Sequence, residues 1–340
     1  QAARHLIIHG RPIPYAEIVA RIEAVDELAV RRVAERLLQG ELTLAALGPI
    51  DSLESLDRIA AHFVDPPYDK LPAVSAEHET HLLENKTFAR WVSRNVFAHK
   101  QPGYAAVTLS LKKTGIAPGD ATHAQLDAVA DLADRFSHGE VRVSHEQNLI
   151  LADVKLSDLF AMWTEAKEIG FATPNIGLLT DIISCPGGDF CSLANAKSIP
   201  IAHAIQQRVE EQLGDLDYLF DIGDISVNIS GCMNACGHHH VGNIGILGVD
   251  KHGEEFYQVT IGGAQGLGAA LGKVIGPSFA QDEMADVVEK IVKTYVDLRE
   301  EGETFIEAVR RLGIEPFKAR VYSGNRAGKS TRSVVETADA

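Results

Sequence analysis

The chain contains two short cysteine segments, which read Cys185-Pro-Gly-Gly-Asp-Phe-Cys191 and Cys232-Met-Asn-Ala-Cys236. All 4 cysteines of the 340-residue sequence lie in them. Four thiolates from two loops can bind a tetrahedral metal ion or an iron–sulfur cluster. Zinc sites favour pairs with two intervening residues, whereas five and three residues separate these pairs. The wider loops favour a 4Fe-4S cluster, in which each iron takes one cysteine.

Residues beside the cysteines favour the same interpretation. Glycines at Gly187, Gly188, Gly231 and Gly237 would let the backbone approach a large cofactor closely. Cys191 is expected to begin a helix, and the N-terminus of a helix stabilises a thiolate.

Three other interpretations of the cysteines remain open at this point. They could form disulfides, although no secretion signal is recognisable in the sequence. They could bind one zinc ion together. They could also be four buried, unreactive thiols.

Composition limits the classes of partner. Acidic residues outnumber basic ones, 47 to 32, which gives a net charge of −15 and argues against a nucleic-acid partner. No apolar run approaches the roughly 18 residues of a membrane-spanning helix. Few cysteines, gathered in one site, fit a reducing compartment, so we expect a cytoplasmic protein.

The length predicts about two domains, and the pattern changes along the chain. Residues 1–63 are predicted to form a small separate segment of helix, strand and helix. Residues 64–87 contain three prolines and are interpreted as a linker. Residues 323–340 are polar and are expected to be disordered.

Residues 88–170 show the order strand, helix, two strands, helix, which is typical of a small ferredoxin-like unit. The predicted elements are a strand over 107–111, a helix over 125–136, a strand pair over 141–144 and 149–151, and a helix that Ser157 caps and Gly170 ends.

Residues 178–322 alternate strands and helices and carry both cysteine segments. The predicted elements are a short strand over 181–184, a helix over 192–213, strands over 225–230, 244–249 and 256–261, and helices over 281–300 and 303–312. We therefore expect an α+β protein.

With Gly231-Cys-Met-Asn-Ala-Cys-Gly237 and the first cysteine pair, the chain resembles the sirohaem- and 4Fe-4S-dependent sulfite and nitrite reductases over residues 88–322. The resemblance implies a ferredoxin-like half-domain over 88–170, followed by an α/β sirohaem and 4Fe-4S domain over 178–322. It also implies six-electron reduction of sulfite or nitrite, with electrons from a ferredoxin or a flavoprotein.

The resemblance also assigns roles to residues. Cys185, Cys191 and Cys232 would bind the cluster, and Cys236 would bind the cluster and bridge to the sirohaem iron. Asn234 would contact a cofactor.

In the half-domain, the resemblance places Arg142 and Asn148 near the macrocycle, whose carboxylates suit a guanidinium partner. Arg142 could equally be a surface residue of the hairpin. The family's substrate-binding cations lie mostly in a first half that this chain does not match. None of Lys112, Lys113 and Lys197 is therefore assigned to catalysis, and turnover is expected to need that N-terminal reductase half.

The N-terminal segment resembles the C-terminal end of M16-type processing peptidases. The resemblance rests on Gly10-Arg-Pro-Ile-Pro14 and Leu44-Ala-Ala-Leu-Gly-Pro49, over residues 1–63. The family's H-x-x-E-H zinc motif is absent, and His78-Glu-Thr-His81 has the wrong spacing. The segment would be non-catalytic, or else a helical extension of the reductase.

Two further motifs have several interpretations. His238-His-His240 could face the sirohaem, ligate a metal or be solvated. The loop 263–272 lacks dinucleotide-binding spacing and is expected to pack under the cofactor. Alternative functions are a cluster-carrying electron-transfer module and a non-catalytic interaction protein.

Overall fold

The computed structural model describes residues 68–213 and 216–323, together with Glu17, Ala20 and Arg32. The chain divides into two units after Tyr68, and every helix and strand given below lies in the second. Apart from Glu17, Ala20 and Arg32, the predicted M16-like segment lies outside the described residues, as does the polar tail after Ser323, so both remain predictions.

Nine helices and nine strands make up the described part of the second unit. The helices are α1 (Ala76–Glu84), α2 (Lys86–Asn95), α3 (His123–Phe136), α4 (Leu159–Glu168), α5 (Ile199–Leu213), α6 (Leu216–Ile222), α7 (Met284–Leu298), α8 (Phe305–Leu312) and α9 (Glu315–Tyr322). The strands are β1 (Val96–Ala98), β2 (Tyr104–Leu109), β3 (Val141–Val143), β4 (Leu149–Lys155), β5 (Ile183–Ser184), β6 (Val227–Ser230), β7 (Ile244–Lys251), β8 (Glu254–Ile261) and β9 (Lys273–Val274).

The first sheet has the order β1-β2-β4-β3, and every neighbouring pair is antiparallel. Helices α2, α3 and α4 contribute to its hydrophobic core, in which Phe88, Trp91 and Met162 are fully buried. This is the ferredoxin-like half-domain expected from the sequence. The expected helix cap is wrong: Ser157 lies in a single 3-10 turn, and its hydroxyl donates to Asp158 at 3.0 Å.

Part of the predicted linker is helical instead. Helix α1 begins after Ser75, whose hydroxyl accepts the backbone N–H of His78 at 3.3 Å. His78 is buried, and Leu82 packs against the half-domain core. The prolines all precede this helix, so the linker interpretation was wrong over residues 76–84.

The second sheet has the order β5-β6-β7-β8-β9. Its first three strands are parallel and its last three antiparallel. All four residues of β6 are buried, as expected for a parallel strand covered on both faces. Two of them, Asn228 and Ser230, are polar, so the alternation seen in the sequence does not separate a buried from an exposed face.

The helices of the second half pack with this sheet in one core. Val287, Val288, Ile291, Val292 and Tyr295 of α7 are all buried there, which confirms the predicted face. None of the helices in the described residues is long and apolar enough to cross a bilayer.

Candidate cofactor site

The two cysteine segments lie at one edge of the second sheet. Strands β5 and β6 are parallel neighbours, with Ser184 opposite Ile229. Cys185 directly follows β5, and Cys232 follows β6 after one intervening residue. Because parallel strands end at the same sheet edge, both cysteine loops leave the sheet side by side.

Backbone hydrogen bonds join the two loops. The Cys185 N–H donates to the carbonyl of Ile229 at 3.1 Å. The N–H groups of Asn195 and Ala196 both donate to the carbonyl of Gly231, at 2.8 and 3.0 Å. The first loop therefore folds back onto the second.

These bonds explain why the expected helix at Cys191 was wrong. Helix α5 begins only at Ile199, because residues 195 and 196 use their N–H groups between loops. Cys191 lies in a turn, where its own N–H donates to Gly187 at 2.9 Å. A helix N-terminus does not stabilise this thiolate.

Three of the four loop glycines allow close packing within the protein. A Cβ on Gly237 would lie 2.0 Å from the carbonyl oxygen of Ile229. A Cβ on Gly231 would lie 2.6 Å from that of Ala196, and one on Gly187 would lie 2.4 Å from the backbone nitrogen of Ser198. These glycines allow close contact between backbone segments of the protein, and their close approach to a cofactor remains a prediction.

None of the four thiols takes part in a disulfide, and they differ in how far they are exposed. Cys185 and Cys232 are buried, Cys191 is half-buried and Cys236 is exposed. No disulfide joins them, which overturns that interpretation.

The sulfur of Cys185 has hydrogen-bond partners in the second loop and near α5. Its Sγ accepts the backbone N–H of Gly231 at 3.1 Å and lies 3.4 Å from the hydroxyl of Ser198. Hydrogen bonds to sulfur disperse the charge of a thiolate, and they tune iron–sulfur clusters in the same way.

The donor set consists of four thiols, and a 4Fe-4S cluster takes one cysteine at each of its four irons. Within residues 68–213 and 216–323, no three His, Cys, Asp or Glu side chains are placed to share one metal ion.

The second loop turns tightly around its last cysteine. Ala235 and His238 have positive φ angles of 57° and 54°. Two turn bonds, from Ala235 N–H to Cys232 and from His238 N–H to Ala235, measure 3.1 and 2.8 Å. This backbone presents Cys236 and Asn234 at the surface, and their roles toward a cofactor remain predictions.

Apolar side chains surround the cysteines at the surface. Phe190, Leu193 and Met233 are 79%, 69% and 80% exposed. Each of these three residues lies within two positions of a cysteine in the sequence.

The half-domain holds the strand that leads into the first loop. The Gln147 side chain makes two bonds with the backbone of Ser184, donating at 2.8 Å and accepting at 2.9 Å. The ammonium of Lys112 donates to the carbonyls of Glu146 and Ile182, at 2.6 and 2.8 Å.

Lys112 is also paired with an acid inside the protein. Its Nζ lies 3.5 Å from the carboxylate of Asp181, and both side chains are buried. Burial lowers the pKa of Lys112, and the charge of Asp181 opposes that shift. Sequence reasoning did not find this role, since nothing in the local pattern distinguishes Lys112 from the exposed Lys113.

The two half-domain residues assigned to the macrocycle lie in different settings. Asn148 is 2% exposed, its amide donates to Asp181 at 3.1 Å, and its oxygen accepts the N–H of Leu111 at 3.0 Å. It therefore joins the two halves internally, and its contact with a macrocycle remains a prediction. Arg142 lies on the edge strand β3, exposed and paired with Glu140. Its contact with a macrocycle remains a prediction.

The three histidines do not share one environment. His239 is buried, while His238 and His240 are exposed. The rings of His239 and His240 lie 3.9 Å apart. The glycine-rich loop contacts this segment through a bond from Gly272 N–H to the His240 carbonyl at 2.8 Å, and its Leu267 is fully exposed. Packing of that loop under a cofactor remains a prediction.

Two family models match the second unit. Residues 98–169 match the nitrite/sulfite reductase ferredoxin-like half domain. Residues 178–330 match the nitrite and sulphite reductase 4Fe-4S domain.

Curated relatives match the same region. The chain is 31% identical over 209 residues to a sulfite reductase (ferredoxin) of Mycobacterium tuberculosis, covering 59% of this chain and 38% of the relative. It is 30% identical over 209 residues to a ferredoxin–nitrite reductase of Synechococcus elongatus, covering 59% and 39%. The chain therefore spans about two fifths of the length of these relatives.

Solved structures agree with the fold. The Mycobacterium tuberculosis NirA protein superposes with a TM-score of 0.55 at 29% identity, covering 66% of this chain and 41% of that chain. Dissimilatory sulfite reductase I superposes with a TM-score of 0.53 at 14% identity, covering 70% and 72%, which shows a shared fold. Together these matches show that residues 98–169 and 178–330 are similar to the ferredoxin-like half domain and the 4Fe-4S domain of nitrite and sulfite reductases.

Proposed function

We propose that this chain is the cofactor-binding part of a reductase that converts sulfite to sulfide or nitrite to ammonia. Cys185, Cys191 and Cys232 bind a 4Fe-4S cluster, and Cys236 binds it and bridges to a sirohaem. The observation that carries the proposal is the arrangement of the thiols in two bonded loops, with Cys236 exposed at the turn.

The bound cofactors would supply single-electron storage at the cluster and an anion-binding iron at the sirohaem. The chain's own residues hold the thiolates in place and hydrogen-bond the Cys185 sulfur. Ferredoxin is the donor named for the relatives, and we propose a ferredoxin or a flavoprotein as the donor here. Four free thiols fit a cytoplasmic location.

Substrate binding needs cations, and two lysines close to the cysteine segments already have partners in the protein. Lys112 is buried and donates to two carbonyls, so its ammonium is not available to an anion. Lys197 lies 3.7 Å from Asp189. We propose that an N-terminal reductase half supplies the substrate-binding cations and covers the apolar residues around the cysteines.

An anion titration tests this function. The chain, purified anaerobically with its cofactors, is titrated with sulfite and with nitrite while its visible spectrum is recorded. We expect either anion to shift the sirohaem bands, with no steady turnover by the chain alone. Chloride at equal ionic strength is the control.

Two outcomes would contradict the proposal. A cluster without a sirohaem band, indifferent to both anions, would favour the cluster-carrying electron-transfer module. Steady six-electron turnover by this chain would contradict the need for another reductase half.

A further inference from the structure

We propose that Asn228 and Ser230 of β6 are positioning residues for Cys236, the thiol that the proposed function makes the bridging ligand. The inference rests on that function. Neither residue carries a sulfur or lies in a cysteine segment. Both act on Gly237, the residue that directly follows Cys236.

Gly237 is held at both of its polar backbone atoms. Its N–H donates to the hydroxyl of Ser230 at 3.1 Å. Its carbonyl accepts the Nδ2 amide of Asn228 at 2.9 Å. Two side chains of one strand thus bind opposite ends of one residue.

The backbone at this position has little room to move. A Cβ on Gly237 would lie 2.0 Å from the carbonyl oxygen of Ile229, the residue between Asn228 and Ser230 in β6. The loop therefore rests directly on the strand. Since Cys236 precedes Gly237, these contacts fix where its Cα enters the site.

The two polar side chains are unusual for the strand that carries them. Asn228 is 0% exposed and Ser230 is 1% exposed, at positions where an aliphatic side chain would normally be buried. The Oδ1 atom of Asn228 is buried without a hydrogen-bond partner. Leaving such an atom unpaired is costly, so the Nδ2 bond to Gly237 is the contact that accounts for an asparagine here.

Side chains that orient a metal ligand commonly affect metal binding, although they do not touch the metal themselves. Removing such a partner typically costs about 10- to 100-fold in metal affinity or activity. Loss of the Asn228 bond would free the Gly237 carbonyl and let the Cys236 turn relax away from the cluster.

The test compares Asn228→Leu and Ser230→Ala with a matched asparagine elsewhere. Asn243→Leu is the control, because the Nδ2 of Asn243 donates to Gly263 at 2.9 Å and its Oδ1 accepts the Ser226 N–H at 3.0 Å. Asn243 lies seven residues after Cys236, and its two partners, Gly263 and Ser226, lie outside the loop that carries Cys232 and Cys236. Each variant is purified anaerobically with its cofactors. The rate at which an iron chelator removes the cluster is followed by absorbance, and the midpoint of thermal unfolding is measured on the same sample.

We expect Asn228→Leu to lose its cluster about tenfold faster than the wild type. Its thermal midpoint should not fall below that of Asn243→Leu, because leucine also removes the unpaired buried oxygen. Asn243→Leu should lose its cluster within about twofold of the wild-type rate. Equal rates for the two asparagine variants at equal midpoints would overturn the inference.

A second readout separates this inference from the proposed function. If the wild-type chain binds no iron, the function fails, and the positioning role is read from alkylation of the free thiols by iodoacetamide. We expect Asn228→Leu to change the rate at Cys236 several-fold and leave the rate at Cys191 unchanged. Unchanged alkylation at Cys236 would overturn the positioning role itself.

Discussion

His239 is buried three residues after Cys236, next to the exposed ring of His240. Burial lowers the pKa of His239 to about 4, and the neighbouring charge of His240 acts in the same direction. The imidazole is therefore neutral at pH 7. A neutral ring suits a position inside the protein, where a charged one would be costly.

Acid should destabilise the fold through this residue. An unfolded histidine binds its proton near pH 6.5, whereas folded His239 binds it only near pH 4. The unfolded state therefore holds more protons between these values, and stability falls as pH decreases through that window. We expect at most about 3 kcal/mol of loss.

Urea unfolding of the metal-free chain at several pH values measures this effect. His239→Gln should give a flatter profile between pH 6.5 and 4 than the wild type, and His238→Gln, which alters an exposed ring, should not. Identical profiles for the wild type and His239→Gln would show that His239 is not the titrating group.

At the scale of elements, the two halves are joined by a buried polar contact. Lys112 follows the first sheet's core strand, and Asp181 precedes the first cysteine loop. The Nζ of Lys112 lies 3.5 Å from the carboxylate of Asp181. Removing one partner of such a pair leaves the other charge buried without an opposite charge beside it.

We expect Lys112→Met to lower the free energy of unfolding by about 3 kcal/mol. The adjacent Lys113→Met, at an exposed position, should change it by less than about 0.5 kcal/mol. Denaturant titrations of both variants measure the difference. A loss as small for Lys112→Met as for Lys113→Met would rule out a stabilising junction.

The sequence predicted helices and strands correctly where the spacing of apolar residues determines them. Strands β7 and β8 and the buried face of α7 follow their apolar residues closely. The expected helix over residues 192–198 failed because a distant carbonyl, that of Gly231, takes the N–H groups a helix would need. The pattern of those residues holds no sign of that partner.

For the site, the sequence predicted the four cysteines but not the hydrogen bonds that position them. The spacing of the four cysteines pointed to a cluster, because ligand type and loop width are written in the sequence. The bonds of Asn148 to Asp181 and Leu111 could not be predicted, because they join segments that are more than 30 residues apart in the sequence. The sequence predicts Asn228 and Ser230 only as strand residues, because their contact with Gly237 forms only when the chain folds.

At the scale of the molecule, the chain spans about two fifths of the length of the curated relatives described above. It exposes apolar side chains next to its cysteines in the sequence. It has one half-domain sheet and one cysteine-bearing sheet among the described residues. This arrangement is consistent with the proposed cofactor-binding role.

The central claim is that the four thiols hold a 4Fe-4S cluster coupled to a sirohaem. An anaerobic visible spectrum, with iron, acid-labile sulfide and zinc measured on the same sample, tests it most directly. We predict about four sulfides and about five irons per chain, four in the cluster and one in the sirohaem, with a sirohaem band. Zinc in place of iron, without sulfide or colour, would contradict the account.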